Sequence, residues 1–212
     1  MFNPTPSSNK SLSIAVQAGG ESRRMGQDKA LMPFLGQPLI ARVIERLRPI
    51  ADEIIITSNR PHAYAFLDAP VFTDLIPGRG ALGGLYTALS AASYPFVAVV
   101  ACDMPFINPN LLSAQHHLLL ETQADAVVPH LGEGSEPFHA IYRRQTCLPH
   151  IRVALEADRW RADAWFDQVN IYWLRQPEII PYDPQLLSFR NVNTYQELQN
   201  AQEIAALLEA ED

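Results

Sequence analysis

The sequence predicts an α/β protein in three layers, with a mostly parallel central sheet between helices that cover both faces. Short apolar runs typical of buried strands alternate with longer segments of helical periodicity along most of the 212 residues. The spacing of these segments favours right-handed βαβ connections, which produce parallel sheets. Hydrophobic residues make up 48% of the chain and charged residues 18%, so a chain of this length can bury a substantial core.

The alternation of strands and helices is clearest in the first two thirds of the chain. An apolar run at residues 12–18 ends at two glycines and predicts the first strand. Pro38 favours the start of a helix, because proline fits the first helical turn. The further predicted strands lie at residues 53–57, 70–73, 96–101 and 125–129. The further predicted helices lie at residues 62–68, 82–89 and 109–121.

The last third of the chain is less regular. Strands are predicted at residues 138–142 and, at a sheet edge, 171–174; helices are predicted at residues 146–156, beginning near Pro149, and at residues 160–168. Thr194 is expected to cap a closing helix that runs to about residue 209. Residues 1–11 are polar and contain prolines, so we expect a disordered leader followed by a single domain over residues 12–212.

Composition excludes several classes of protein. A net charge of −7 and a pI near 5.3 argue against a general binder of nucleic acid or of anionic membranes, since both need a broad basic surface. No apolar run approaches the roughly 18 residues that span a bilayer, and the N-terminus lacks the apolar core of a signal peptide. Cys102 and Cys147 are too few for a disulfide framework or a zinc site. The expected location is the cytoplasm.

Polar residues and glycines follow each of the first four predicted strands. They are Gly19-Gly20, Ser58-Asn59-Arg60, Asp74 and Asp103. In open α/β sheets, ligands bind beyond the carboxyl ends of the strands. The four strand ends therefore predict a ligand site at one edge of the sheet. Asp74 and Asp103 also suit ordinary roles as turn formers or helix caps.

The loop after the first strand has the character of a phosphate site. Arg23, Arg24 and Lys29 place three positive charges within seven residues of an acidic chain, and glycines let the backbone approach a ligand closely. The pattern is neither G-x-G-x-x-G nor G-x-x-x-x-G-K-[ST], so a dinucleotide site and a P-loop are not supported. Asp103, at the tip of a buried strand, suits Mg²⁺, which prefers one or two carboxylates plus phosphate oxygens.

Five motifs in this order resemble those of the molybdenum cofactor guanylyltransferase family, nucleotidyltransferases that attach GMP to molybdopterin. The resemblance covers about residues 12–205. The motifs are Gln17-Ala18-Gly19-Gly20 with Ser22-Arg23-Arg24-Met25-Gly26 and Asp28-Lys29; Asp74 with the loop at 77–84; Cys102-Asp103-Met104-Pro105-Phe106; residues 136–143; and Phe189-Arg190-Asn191-Val192-Asn193-Thr194.

The resemblance implies a Rossmann-like nucleotidyltransferase fold and transfer of GMP from GTP to molybdopterin with release of pyrophosphate. It also implies a Mg²⁺ cofactor held by Asp103, and transient contact with proteins that mature molybdoenzymes. The implied catalytic residues are Lys29, Arg24 and Asp103. The implied nucleotide contacts are Gln17, Ala18, Gly19, Gly20, Arg23, Lys29, Thr57, Asp74, Gly80 and Asp103. The implied acceptor contacts are Asn191 and Asn193.

Alternative functions remain open at the level of sequence. Gln17 replaces an apolar residue usual in the family, and Thr57 stands where an asparagine is common, so a cytidylyltransferase acting on molybdopterin, or another transferase of the same superfamily, is an alternative. Ala-Gly-Gly at residues 18–20 leans toward guanine. A non-catalytic nucleotide-binding subunit is a second alternative, although Arg24, Lys29 and Asp103 occur together, and a degenerate module tends to lose such a charge set.

Overall fold

A central sheet of eight strands organises the computed structural model, which describes residues 12–19, 28–132 and 134–211. The expected leader at residues 1–11 lies outside the described residues, as do Gly20, Arg23 and Arg24. The strands are β1 (Leu12–Gln17), β2 (Pro33–Phe34), β3 (Gln37–Pro38), β4 (Glu53–Thr57), β5 (Val71–Phe72), β6 (Phe96–Ala101), β7 (Ala126–Leu131), β8 (Gly134–Ser135), β9 (His139–Arg143) and β10 (Ile171–Arg175). The α-helices are α1 (Leu39–Leu47), α2 (Gly80–Ala91), α3 (Pro109–Thr122), α4 (Arg144–Glu156), α5 (Gln176–Ile179) and α6 (Tyr195–Glu211).

The strand order is β10-β7-β9-β6-β1-β4-β5, with β8 paired to β7, while β2 and β3 form a separate hairpin. β1 pairs in parallel with both β4 and β6, β4 with β5, and β7 with β10. β9 is antiparallel to both of its neighbours, β6 and β7. The predicted fold class, a mostly parallel sheet with helices on both faces, is confirmed.

Two apolar cores lie on opposite faces of the sheet, because its central strands are apolar on both sides. Along β1, Ile14 and Val16 pack toward α1 and α3, whereas Ala15 packs toward α2 and α4. A third core joins α6 to the β2–β3 hairpin. None of the helices in the described part of the chain has the length and apolar character needed to span a bilayer.

The closing helix begins as the sequence predicts. Thr194 Oγ1 accepts a hydrogen bond from the Glu197 backbone N–H at 3.2 Å, and Glu197 Oε2 accepts from the Asn193 and Thr194 N–H groups at 2.7 and 2.9 Å. This reciprocal capping box satisfies N–H groups that a helix start otherwise leaves without partners. It also fixes the segment just before α6, which lies at the functional site.

Two predicted helices in the last third of the chain differ from the structure. α4 begins at Arg144 rather than near Pro149, which lies inside the helix. The Arg144 guanidinium donates to the Leu89 and Ser90 carbonyls at 2.8 and 3.3 Å, so tertiary contacts fix the start of the helix directly after β9. In the predicted helix at residues 160–168, the structure has only a 3-10 turn at Phe166–Gln168.

Candidate active site

A cleft of about 610 Å³ opens at the carboxyl ends of β1, β4 and β6, as the polar strand ends predict. Most of its walls come from the strand ends, the start of α2 and the segment before α6. The described residues from the predicted set that line it are Gln17, Gly19, Lys29, Thr57, Asp74, Gly80, Asp103 and Asn191. The structure therefore brings together residues from four of the five motifs on which the resemblance rests, and Glu136 and Phe138 add the fifth.

One end of the cleft carries a charge pair. Lys29 Nζ forms an ion pair with Asp103 Oδ2 and donates a hydrogen bond to Asn193 Oδ1 at 3.0 Å. Asp103 is only 5% exposed, so its carboxylate is removed from most solvent. The Val192 N–H donates to the Asp103 carbonyl at 2.9 Å, which ties the C-terminal segment to the end of β6. We call Lys29, Asp103 and Asn193 the charged end.

Lys29 is positioned by the residue before it. Asp28 caps the 3-10 turn Lys29–Leu31, and its Oδ1 accepts from the Ala30 N–H at 3.1 Å. Its Oδ2 accepts from Tyr64 Oη at 2.6 Å and forms an ion pair with Arg60 Nη2 at 2.6 Å. Burial, followed by the hydrogen bond to Asp28, raises the pKa of the Tyr64 phenol well above its ordinary value. The Tyr64 phenol therefore remains protonated and donates its hydrogen bond, and both carboxylate oxygens of Asp28 have partners.

Two buried oxygens at the cleft have no hydrogen-bond partner in the described structure. They are Asp103 Oδ1 and Asn191 Oδ1. The described ranges contain no cluster of three or more His, Cys, Asp or Glu side chains that could hold a metal by itself. A carboxylate and an amide oxygen are ligand types that Mg²⁺ accepts, with phosphate oxygens completing the coordination. The donor set therefore fits a metal that binds together with a nucleotide.

The other end of the cleft carries an amide–carboxylate pair. Asn59 Nδ2 donates to Asp74 Oδ2 at 2.7 Å, and the Asp74 N–H donates to Asn59 Oδ1 at 3.0 Å. This reciprocal pair fixes Asp74 and leaves its Oδ1 without a hydrogen bond inside the described structure. Gly80, with φ of +56°, starts α2 beside it in a conformation that L side chains rarely adopt. We call Gln17, Thr57, Asn59 and Asp74 the neutral end, because amides and a hydroxyl predominate.

Comparison with known proteins identifies the family. The family model described as the MobA-like NTP transferase domain matches residues 14–169. A probable molybdenum cofactor guanylyltransferase of Peptoclostridium acidaminophilum is 34% identical over 197 residues, which cover 91% of this chain and 89% of the relative. The molybdenum cofactor guanylyltransferase of Desulfosudis oleivorans is 33% identical over 190 residues, which cover 88% of this chain and 92% of the relative. The chain belongs to the molybdenum cofactor guanylyltransferase family.

Solved structures agree with this assignment. The molybdopterin-guanine dinucleotide biosynthesis protein A of Archaeoglobus fulgidus superposes with a TM-score of 0.81 at 25% identity, over 92% of this chain and 98% of that chain. The 2-C-methyl-D-erythritol 4-phosphate cytidylyltransferase of Thermus thermophilus superposes with a TM-score of 0.64 at 16% identity, over 91% and 98% of the two chains, and shows the shared fold alone. The chain is thus a nucleotidyltransferase of the Rossmann-like fold, as its motifs indicate.

Two predicted residues of this guanylyltransferase-family site lie differently from the others. The Ala18 side chain packs into the apolar core, and the Ala18 N–H donates to the Thr57 carbonyl at 2.9 Å, so neither group faces the cleft. Asn193 reaches the cleft through its hydrogen bond to Lys29 rather than as a wall residue. The predicted roles of Gly20, Arg23 and Arg24 lie outside the described residues.

Two candidate site residues that strand-end reasoning did not supply come from the segment before β9. Glu136 and Phe138 line the cleft, and burial raises the pKa of Glu136. Because β9 is antiparallel, the segment that precedes it lies at the same edge as the carboxyl ends of β6 and β7. Only residues 132–138 separate β7 from β9, and a parallel crossover needs a dozen or more residues. That short connection was the signal that could have placed both residues at the cleft.

Proposed function

We propose that the chain transfers GMP from GTP to molybdopterin, giving molybdopterin guanine dinucleotide. A terminal phosphate oxygen of molybdopterin attacks the α-phosphorus of GTP; that P–O bond forms, the bond between the α-phosphorus and its bridging oxygen breaks, and pyrophosphate leaves. Membership of the guanylyltransferase family supports the reaction. The observation that carries it is the Lys29–Asp103 ion pair at one end of a cleft whose other end holds two amides, a hydroxyl and the Asp74 carboxylate.

The chain's own part in the reaction is electrostatic. An attacking phosphate is ionised at neutral pH, so the reaction needs no general base. Its barrier arises largely because two anions must meet and negative charge then moves to the leaving group. Preorganised positive charge lowers such a barrier without reorganisation during the reaction. Lys29, held by the Asp28–Tyr64 network and directed by Asp103, supplies that charge at the phosphates.

Mg²⁺ is part of the proposal. The unpartnered Asp103 Oδ1 and Asn191 Oδ1 are the oxygens that would hold it, and the bound ion would neutralise charge on phosphate oxygens. Asn191 and Asn193 are also proposed to contact the acceptor. Asn193 bonds to Lys29, and Val192, between the two asparagines, bonds to the Asp103 carbonyl, so this segment is held at the charged end. At the neutral end, Asp74 Oδ1 is free to accept from the N1–H or the 2-amino group of guanine.

Release of pyrophosphate tests the reaction directly. Purified protein is mixed with Mg²⁺, molybdopterin and either GTP, CTP or ATP, and pyrophosphate is measured by a coupled enzyme. We expect release with GTP that requires molybdopterin. Release with CTP and not GTP would instead identify a cytidylyltransferase. Tight nucleotide binding with no release for any nucleotide would identify a non-catalytic subunit.

The same proposal includes a cytoplasmic location and transient contact with proteins that mature molybdoenzymes. Both come from the sequence and its resemblance to the family. Fractionation of cells that express the full chain, followed by crosslinking and identification of captured proteins, tests them separately from the reaction.

A further inference from the structure

Gln17 ends β1 on the side of the sheet that faces α2. In the register of the parallel strands, Gln17 lies opposite Thr57 of β4 and Ala101 of β6. Side chains at matching positions of parallel strands point to the same face, and Ala15, two residues earlier, packs in the core beneath α2. The Gln17 carboxamide therefore lies on the floor of the cleft, between the strand ends and α2.

Gly84 makes room for this carboxamide. A Cβ at Gly84 would lie 2.8 Å from Gln17 Nε2, closer than real Cβ atoms approach, and 3.4 Å from Gln17 Cδ, an ordinary contact distance. A glycine inside a helix costs roughly 1 kcal/mol relative to alanine. A side chain at position 84 would therefore shift the flexible end of the Gln17 side chain from its position.

The Gln17 carboxamide has no hydrogen bond within the described structure. Its Nε2 is inaccessible to solvent and unpartnered. Leaving a buried polar group unpaired costs about 1–3 kcal/mol, and buried amides are normally bonded. In this conformation Nε2 faces Gly84, so a molecule bound in the cleft does not reach it directly. The carboxamide needs only to rotate about its terminal bond to present its N–H to the cleft.

The surroundings of Gln17 indicate which part of a nucleotide it meets. Lys29 is the one Lys or Arg among the described residues that line the cleft, and it belongs to the charged end. The neutral end offers Asp74, which only accepts hydrogen bonds when ionised, and Gln17, whose amide can donate. Guanine presents the matching edge, an O6 acceptor beside the N1–H and 2-amino donors. Adenine and cytosine present an amino group in place of O6.

We propose that the Gln17 carboxamide donates a hydrogen bond to O6 of the guanine of GTP and thereby selects guanine against bases with an amino group at that position. This inference rests on the proposed function and names the side chain that completes its base recognition. Asp74 accepts from the donors of guanine, while Gln17 donates to its acceptor.

Two variants and an analogue without O6 test the inference. Gln17→Met keeps the length of the side chain and removes its polar atoms, while Gly84→Ala keeps Gln17 and displaces its carboxamide. Dissociation constants are measured by calorimetry, with Mg²⁺, for GTP, for CTP and for 2-aminopurine riboside triphosphate, which has the 2-amino group but no O6. The analogue also lacks N1–H, but this difference is the same in every variant and cancels when preferences are compared.

We expect each variant to lower the preference for GTP over the analogue by about tenfold, the effect of one hydrogen bond of roughly 1.4 kcal/mol. Gln145→Met, at an exposed position on α4, is the matched control and should leave the preference unchanged. Thermal denaturation shows whether each variant is folded. If Gln17→Met does not fold, the Gly84→Ala variant alone tests the inference.

Two outcomes overturn the inference and are distinguishable. If the wild-type chain prefers GTP to CTP but the variants lose affinity equally for GTP and the analogue, Gln17 only packs against α2 and the proposed function is unaffected. If the wild-type chain binds CTP more tightly than GTP, both the guanine specificity of the proposed function and this inference fail.

Discussion

The two ends of the cleft satisfy their polar groups in different ways. At the charged end, Lys29 is bound by Asp103 and Asn193 and supported by Asp28. At the neutral end, Asn59 and Asp74 bind each other, and the Gln17 carboxamide stays unpaired. In the proposed function, the charged end meets the phosphates that every nucleoside triphosphate shares, whereas the neutral end meets the base. On that proposal, preorganised charge serves the reaction, and the unpaired Gln17 amide serves selection among nucleotides.

The largest expected effect comes from removing the cation of the charged end. Lys29→Ala should lower turnover by two or more decades, roughly the 3–4 kcal/mol of a lost preorganised electrostatic contact, with the GTP-over-CTP preference retained. Pyrophosphate release measures both. Arg48→Ala, which removes an exposed charge at the end of α1 remote from the strand ends, is the control. Near-normal turnover of folded Lys29→Ala would remove Lys29 from the proposed mechanism.

The metal proposal is tested at the same end. Asp103→Asn should abolish the tightening of GTP binding by Mg²⁺, because the neutral amide binds the ion much more weakly than a carboxylate. Calorimetry with and without Mg²⁺ measures the tightening. Asp125→Asn, before β7 at the opposite edge of the sheet, should retain it. An unchanged metal dependence in folded Asp103→Asn would exclude Asp103 as the ligand.

A smaller effect is expected from loss of a hydrogen bond in the network that positions Lys29. Tyr64→Phe removes the hydrogen bond to Asp28 and should lower kcat several-fold, the effect of about 1 kcal/mol, with little change in KM for GTP. Steady-state kinetics separate the two constants. Tyr172→Phe removes a phenol that donates to Glu178 near the sheet edge and serves as the control. Equal losses of kcat in both variants would show a general effect on stability rather than on Lys29.

The smallest effect on the reaction is expected at His139, which lies beside the cleft residue Phe138 and packs on Phe189 with ring centroids 4.6 Å apart. Burial lowers the pKa of His139 to about 4. An unfolded histidine titrates near pH 6.5, so the unfolded state binds more protons between these values. The stability contribution is complete above about pH 6.5 and is lost as the pH falls toward 4.

His139→Phe should flatten this loss of stability, with a slope changed by up to about 1.4 kcal/mol per pH unit, while turnover near neutral pH stays close to normal. Urea unfolding at pH 5 and pH 7.5 measures the slope. His62→Phe, at an exposed position, should keep the wild-type slope. An unchanged slope in His139→Phe would mean that other groups set the acid sensitivity.

Sequence patterns predict the sheet well where strands are continuous apolar runs. The predicted strands at residues 53–57 and 96–101 coincide with β4 and β6, since β-branched residues between turn formers leave few alternatives. These strands and β1 also fix where Thr57 and Asp103 lie, which is why the strand ends predict the cleft. A local pattern suffices when the feature is set by where one strand ends.

Contacts between distant segments could not be predicted in the same way. The Asn59–Asp74 pair depends on how β4 and β5 pair, and the fit of Gln17 against Gly84 depends on how α2 packs over the strand ends. No local sequence pattern predicts either contact. The start of α4 was misplaced because Pro149 marks a favourable first turn by propensity, while the contacts of Arg144 with the end of α2 override it. Where local propensity allows several starting points for a helix, tertiary packing determines which one is used.

The attachment of the C-terminal segment to β6 has a consequence for synthesis of the chain. Lys29 and Asn193, which bond across the charged end, lie 164 residues apart in the sequence. The ribosome completes β1, β4 and β6 long before it adds Asn191, Asn193 and the capping turn of α6. A nascent chain can therefore form most of the sheet first, and the site proposed to hold metal and nucleotide is completed only near the end of translation.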